Sequence, residues 1–225
     1  MKAYDAGWYS VVEAEHEIQN PVSAETIRML GRQLGLGRRS RVMDLGCGTC
    51  GPALILAEEF GCRMLCVDST PAFVMAARER IELAGMERWI ELVEADASKL
   101  EMYEKRRYHA ALCLGASFVF GGFLPTLERL AEVAPLVAVG EPYKRMADAV
   151  NLAESIDAEV VAVFASTEKD WDDYESQRMR TLERWLDEPT RLAGVDYEKL
   201  RDREREAQER RRHERRGWAI FVCRV

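Results

Sequence analysis

The chain has 225 residues, enough for one α/β domain with a full core and a small lid. Apolar residues make up 48% and charged residues 32%, which excludes a disordered chain. The net charge of −7 argues against nucleic acid as the main partner, because phosphate binding needs a basic face.

The start, Met-Lys-Ala-Tyr-Asp-Ala-Gly-Trp-Tyr, lacks the apolar run of a signal peptide. Residues 22–36 have helical spacing, with Ser23 as N-cap and Gly35 or Gly37 as the stop. Arg41 to Leu45 reads as a short buried strand, and Pro52 to Phe60 as a helix after a glycine turn. Cys62 to Val67 reads as the second strand. Pro71 to Ala84 follows as a helix, with proline suited to its first turn. Trp89 to Glu94 and His109 to Leu114 are strands three and four. Gly122 to Val133 is a helix, and Leu136 to Gly140 strand five. Two β-branched and aromatic runs remain, Glu159 to Ala165 and Trp218 to Arg224. About fifty charged residues of helical character separate them. Alternating strands and helices predict a doubly wound parallel sheet, and the terminal strand can return antiparallel at the edge. Ala110 to Pro125, the most apolar stretch, is too short to span a membrane and contains Gly, Ser and Pro.

Six cysteines lie at 47, 50, 62, 66, 113 and 223, five of them in or beside apolar runs or the glycine turn. They read as reduced thiols of a cytoplasmic protein and not as a disulfide framework.

The glycine turn carries the chemistry. Gly46-x-Gly48-x-x-Gly51 follows a strand and opens a helix, the context of a nucleotide site. Glycines let the backbone come close to a ligand, and helix N–H groups face it. That pattern fits a dinucleotide and S-adenosylmethionine (AdoMet) alike. Asp44 separates them, because a carboxylate there repels a pyrophosphate and attracts the ammonium and sulfonium of AdoMet. Asp68 ends the second strand in Cys-Val-Asp-Ser and suits two ribose hydroxyls, those of a nicotinamide dinucleotide included. Asp96, in Ala95-Asp-Ala97, can accept the adenine amino hydrogen. The alternative for Asp44 is a turn cap, and for Asp96 a helix or loop cap.

Val42-Met-Asp-Leu-Gly-Cys-Gly-Thr49, Val67-Asp68 and Glu94-Ala-Asp96 resemble the first three motifs of class I AdoMet-dependent methyltransferases, over roughly residues 25–145. The resemblance implies a Rossmann-like seven-strand sheet with order 3-2-1-4-5-7-6, strand 7 antiparallel and helices on both faces. It carries cofactor binding to Asp44, Gly46, Cys47, Gly48, Asp68, Ser69, Asp96, Ala97 and Leu114. Glu13-Ala-Glu-His-Glu-Ile-Gln-Asn-Pro21, Cys113 to Phe123, Gly140-Glu-Pro-Tyr143, Asp170-Trp-Asp-Asp-Tyr174 and Gly217 to Phe221 are similar to a group of bacterial methyltransferases acting on small molecules. The stretch between Tyr143 and Val160, which in that group helps roof the active site, is shorter here. The whole chain is expected to be one methyltransferase domain. Within it, 1–36 is a helical lid, 37–145 the AdoMet-binding core and 146–225 the substrate-side helices and edge strands.

Methyl transfer is a displacement at a sulfonium carbon, so it needs alignment, exclusion of water and at most one proton acceptor. His16 is a candidate base in a segment able to fold over the methyl group; the alternative is a capping histidine. Glu141, after strand five, can orient an amine or act as base; the alternative is a loop carboxylate paired with Arg145. Tyr143, Trp171 and Tyr174 are candidates for an aromatic pocket or for ordinary lid packing.

Cys47-Gly-Thr-Cys50 has redox or zinc spacing, but no second such pair exists and both fall inside the turn, so no metal is expected. A metalloid site would need a convergent cysteine set, and none is apparent. Residues 198–216 mix both charge signs and read as a solvated helix; an RNA contact from Arg210–Arg216 is the alternative. The expected activity is methyl transfer from AdoMet to N, O or S of a small acceptor, by a monomer or homodimer. Competing readings are an AdoMet-binding sensor or degenerate partner, a nicotinamide-dependent oxidoreductase and an RNA methyltransferase.

Overall fold

Seven strands form one sheet: β1 (Arg41–Leu45), β2 (Arg63–Asp68), β3 (Ile90–Glu94), β4 (Ala110–Leu114), β5 (Leu136–Tyr143), β6 (Glu159–Ala165) and β7 (Gly217–Arg224). This computed structural model describes residues 12–13, 15–99, 107–155, 157–187, 196–214 and 217–225, without the side chains of 149 and 152. Of the predicted lid, residues 1–11 and 14 lie outside the described residues. So do 215 and 216 of the C-terminal charged run.

The strand order is β3-β2-β1-β4-β5-β7-β6, as the resemblance implies. β1 to β5 run parallel, and β7 lies antiparallel between β5 and β6. All five residues of β4 are buried, as expected of a strand covered on both faces. The period of two sorts side chains into two cores. Val42, Cys66, Leu112 and Ile220 enter one. Met43, Val67, Cys113 and Phe221 enter the other.

Among the described residues seven helices surround the sheet: α1 (Ala24–Gln33), α2 (Gly51–Phe60), α3 (Pro71–Leu83), α4 (Phe123–Ala131), α5 (Met146–Glu154), α6 (Glu168–Asp187) and α7 (Tyr197–Glu214). Ser23 caps α1, its hydroxyl accepting from the Thr26 N–H at 3.1 Å. The stretch between Tyr143 and Val160 holds α5.

Two expectations change. β5 does not stop at Gly140: β7 returns beside it and pairs every residue from Leu136 to Tyr143, so Glu141 and Tyr143 are strand residues. The α7 helix is not solvated all round. Glu204 and Arg211 are buried against α6. Arg178 of α6 grips Glu204 at 2.9 Å, and Arg211 grips Glu175 at 2.6 Å. Arg178 also pairs with Glu13, which accepts in addition from the Tyr174 hydroxyl. Val12 packs with Leu182 and Tyr197 in a small third core. Val12 and Glu13 are thus anchored to α6 and α7 by apolar contact and by buried charge. Removing one member of such a buried pair costs about 3–5 kcal/mol.

Candidate active site

The segment joining β1 to α2 is a left-handed turn. Gly46 has φ 71°, Gly48 φ 54° and Cys50 φ 60°. The first two positions suit glycine, because a Cβ in this region strains the backbone. The Gly46 and Cys47 N–H groups donate to the Val67 carbonyl at 2.8 and 3.1 Å, tying the turn to the end of β2. Asp68 reinforces it: its carboxylate accepts from the N–H of Gly48 at 2.9 Å and of Thr70 at 2.8 Å.

A strap of residues 15–22 crosses this turn. Gln19 accepts from the Thr49 N–H at 2.9 Å, and Asn20 donates to the Leu114 carbonyl at 2.9 Å. Arg80 of α3 holds the strap from outside, donating to the His16 carbonyl at 2.8 Å and to the Thr49 hydroxyl at 3.1 Å. A Cβ on Gly51 would fall 1.6 Å from the Glu17 carbonyl oxygen, and one on Gly48 1.8 Å from the Gln19 side-chain oxygen. The glycines therefore make room for the protein's own strap as well as for a ligand.

Between strap and sheet lies a cavity of about 540 Å³, at the carboxyl ends of the parallel strands. Asp44, Gly46, Cys47, Gly48, Asp68, Ser69, Asp96, Ala97 and Leu114 all line it. Glu13, Glu17, Gln19, Asn20, Thr49 and Ser117, which sequence reasoning did not assign to a site, line it as well. Of these, the strap residues lay within a recognisable motif, but nothing in it told which side chains face inward. Six carboxylates border the cavity: Glu13, Glu17, Asp44, Asp68, Asp96 and Glu141. Among the described residues no lysine, arginine or histidine does.

Asp44 stands apart from the other acids. It is 2% exposed, yet among the described residues it has neither a hydrogen bond nor an ion pair. Burial holds its carboxyl well above the usual carboxylate range, and the neighbouring Cys50 and Asp68 push it further. A buried, unpartnered acid facing a cavity is suited to a cationic ligand. This donor set fits AdoMet and opposes a pyrophosphate. Asp96 caps the 3₁₀ turn Ala97–Lys99: it accepts from Ser98 at 3.0 and 2.7 Å and pairs with Lys99 at 3.0 Å. Those hydrogen bonds, then Lys99, hold its carboxyl below the usual range.

The three candidate catalytic residues do not meet. Glu141 lines the cavity, paired with the Ser117 hydroxyl and not with Arg145, which binds Asp148 at 2.9 Å instead. Burial raises its carboxyl above the usual range, and the Ser117 bond opposes that. The His16 ring is 1% exposed and is not among the lining residues. It sits 3.3 Å from the Tyr174 carbonyl and 3.4 Å from Glu13, and burial lowers its pKa to about 4. Tyr143 packs edge-on against Phe221 and does not line the cavity. Trp171 and Tyr174 do not line the cavity: the Arg211 guanidinium lies over the Trp171 ring at 4.5 Å, and Tyr174 meets His16 at 5.0 Å.

One expectation is overturned. A convergent cysteine set does exist: the sulfurs of Cys47, Cys50 and Cys66 lie within 4.8 Å of one another. All six cysteines are free and buried.

Sheet order, glycine turn and the acids at three successive strand ends give the chain the fold of the class I methyltransferases. Residues 42–135 match the family described as "Methyltransferase domain". The uncharacterized protein YjhP of Escherichia coli is 28% identical over 204 residues, covering 80% of this chain and 82% of YjhP. Two solved structures share the whole fold. A SAM-dependent methyltransferase from Thiobacillus denitrificans, in complex with S-adenosyl-L-homocysteine, is 26% identical with a TM-score of 0.82. The match covers 96% of this chain and 97% of that one. A second, from Geobacter sulfurreducens in complex with the same compound, is 23% identical with a TM-score of 0.84, covering 99% of each chain.

Proposed function

We propose that the chain binds AdoMet in this cavity and transfers its methyl group to N, O or S of a small-molecule acceptor. The observation that carries the reading is Asp44, buried and, among the described residues, unpartnered in a cavity whose described charged residues are all acids. When bound, AdoMet supplies an electrophilic methyl carbon on a sulfonium.

The residues of the chain divide the remaining work. Asp44 compensates positive charge, Asp68 and Ser69 offer acceptors and a donor to the ribose, and Asp96 offers an acceptor to adenine. The backbone of Gly46, Cys47 and Gly48, with Ala97 and Leu114, shapes the walls. Glu141 holds the acceptor beside the methyl carbon and takes its proton, or that of an ammonium, through the face opposite Ser117. The strap excludes water from above. His16 acts as a positioning residue: its carbonyl receives Arg80 and Thr49, and its ring fills the lid core. The acid lining disfavours phosphate- or carboxylate-bearing acceptors and suits neutral or cationic ones.

The test is release of S-adenosylhomocysteine when the purified chain is given AdoMet and fractionated pools of small metabolites. AdoMet binding without release in any pool would leave an AdoMet-binding sensor. Affinity for a nicotinamide dinucleotide in place of AdoMet would overturn the assignment. With an active pool in hand, Glu141→Gln is expected to lower turnover about 100-fold, the scale of lost general-base assistance, with S-adenosylhomocysteine affinity unchanged. Equal losses in both would remove Glu141 from the acceptor side.

A further inference from the structure

Cys47 and Cys50 belong to the glycine turn, and Cys66 to β2. Hydrogen bonds from Gly46 and Cys47 to the Val67 carbonyl lay the turn across the end of that strand. The sulfurs of Cys47 and Cys50 are thereby 3.6 Å apart, and all three lie within 4.8 Å of each other. In a thiolate site with metal–sulfur bonds of about 2.3 Å, neighbouring sulfurs are separated by about 3.8 Å. The three thiols are therefore placed at ligand spacing already, needing side-chain adjustment only.

The other three cysteines, Cys62, Cys113 and Cys223, are equally buried and do not join the group. Burial alone does not account for the convergence. The backbone of Cys50 adds an independent sign. It is held at φ 60°, ψ 20° as the N-cap of α2, yet its side chain makes no capping hydrogen bond. A left-handed conformation costs a non-glycine residue roughly 1–2 kcal/mol. Glycine would relieve that strain, and Cys50 carries it while its sulfur joins the group.

We propose that Cys47, Cys50 and Cys66 form a three-sulfur site for a thiophilic d10 cation such as Zn2+ or Cd2+. Three sulfurs and, among the described residues, no His, Asp or Glu ligand at the same spacing select soft ions over Mg2+ or Ca2+. Three protein ligands leave a fourth position open, and Cys47 borders the cavity through which an ion enters. On binding, three S–H bonds exchange for three metal–sulfur bonds. Three protons pass to solvent, and a dipositive ion leaves the site with one net negative charge. The site would brace the turn from below while the strap braces it from above. This inference stands apart from the methyl-transfer reading.

The test uses the full, reduced chain and Cd2+ as probe, followed by sulfur-to-cadmium charge-transfer absorbance. Saturation at one Cd2+ per chain is expected. Cys66→Ala and Cys50→Gly should each weaken binding by more than about tenfold, the loss that even an outer-shell partner can bring. Cys62→Ala, outside the group, should not. Cys50→Gly also removes the left-handed strain, so circular dichroism and the thermal midpoint will show a folded chain. Absence of saturable binding, or one-equivalent binding retained in folded Cys50→Gly and in Cys66→Ala, would overturn the site.

Discussion

Asp44→Asn is expected to stabilise the free chain and to weaken AdoMet binding, and the two effects have one cause. The substitution keeps the shape of a side chain that is 2% exposed and has no partner among the described residues. It removes the charge, or the proton that must be held to avoid it. Burial, then Cys50 and Asp68, raise the folded-state pKa. An acid raised in this way favours folding below its unfolded pKa of about 3.9. That contribution is lost as pH rises through the folded value. The advantage of Asn should therefore be small in acid and grow toward neutral pH. The amide is still a polar group without a partner, so the gain is only the difference between burying a charge and burying an amide, and it stays within the roughly 1–3 kcal/mol cost of an unsatisfied buried polar group. For a domain of this size each kcal/mol moves the melting temperature by about 2–4 °C. With the cofactor the sign reverses. A carboxylate about 4 Å from a positive charge, at an effective dielectric constant near 20, contributes about 4 kcal/mol before desolvation. A loss of about 10- to 1,000-fold in AdoMet affinity follows. Thermal melts across a pH series and calorimetric titration with AdoMet measure both quantities. A variant that melts below the native chain at neutral pH, or binds AdoMet within about twofold of it, would refute the reasoning.

Gly51→Ala should cost about 1–3 kcal/mol, because the new Cβ would lie 1.6 Å from the Glu17 carbonyl oxygen and the strap has to lift. Urea unfolding reads the loss, and S-adenosylhomocysteine affinity should fall with it; if neither changes, the strap is not seated as described. His16, with a folded-state pKa of about 4 against 6.5, stays neutral between those values while the unfolded chain takes up a proton. Stability should therefore fall as pH drops from about 6.5 to about 4, by roughly 2–3 kcal/mol. Arg178 and Arg80 oppose a charge on the ring, and Glu13 and Glu204 face it with the opposite sign. His16→Gln should flatten this acid limb of the melting curve, and an unchanged slope would contradict the buried neutral ring.

The acids at the strand ends were legible because they are local. Asp44 lies in one strand with the glycines just after it, Asp68 ends the next, and Asp96 follows the third. Parallel neighbours in register must then bring those ends to one edge, as the pairing of Leu45 with Val67 and of Asp68 with Glu94 shows. The cavity wall at the end of β5 was only partly legible. Glu141 reaches the cavity, whereas Tyr143, two residues on, turns against Phe221 because β7 extends the sheet past Gly140. His16 lies in a motif visible in the sequence, yet its ring faces Tyr174 and Glu13, since α6 and α7 supply the partners that bury it.

The charged helices show the same division. Spacing along one helix reveals pairs within that helix, but Arg178–Glu204 and Arg211–Glu175 join two helices and exist only once those pack. The thiol group is the sharpest case. Cys47 and Cys50 are neighbours by spacing, and Cys66 is brought to them only because the turn rests on the end of β2. Periodicity and turn chemistry are short-range, so the sequence by itself determined the order of the strands along the chain, most of the helices and the acids at the first three strand ends, but neither the helix at Met146–Glu154 nor the full length of β5. Which side chains face one another across elements depends on register and packing, so the tertiary structure alone decided the strap, the buried ion pairs and the three sulfurs beneath the turn.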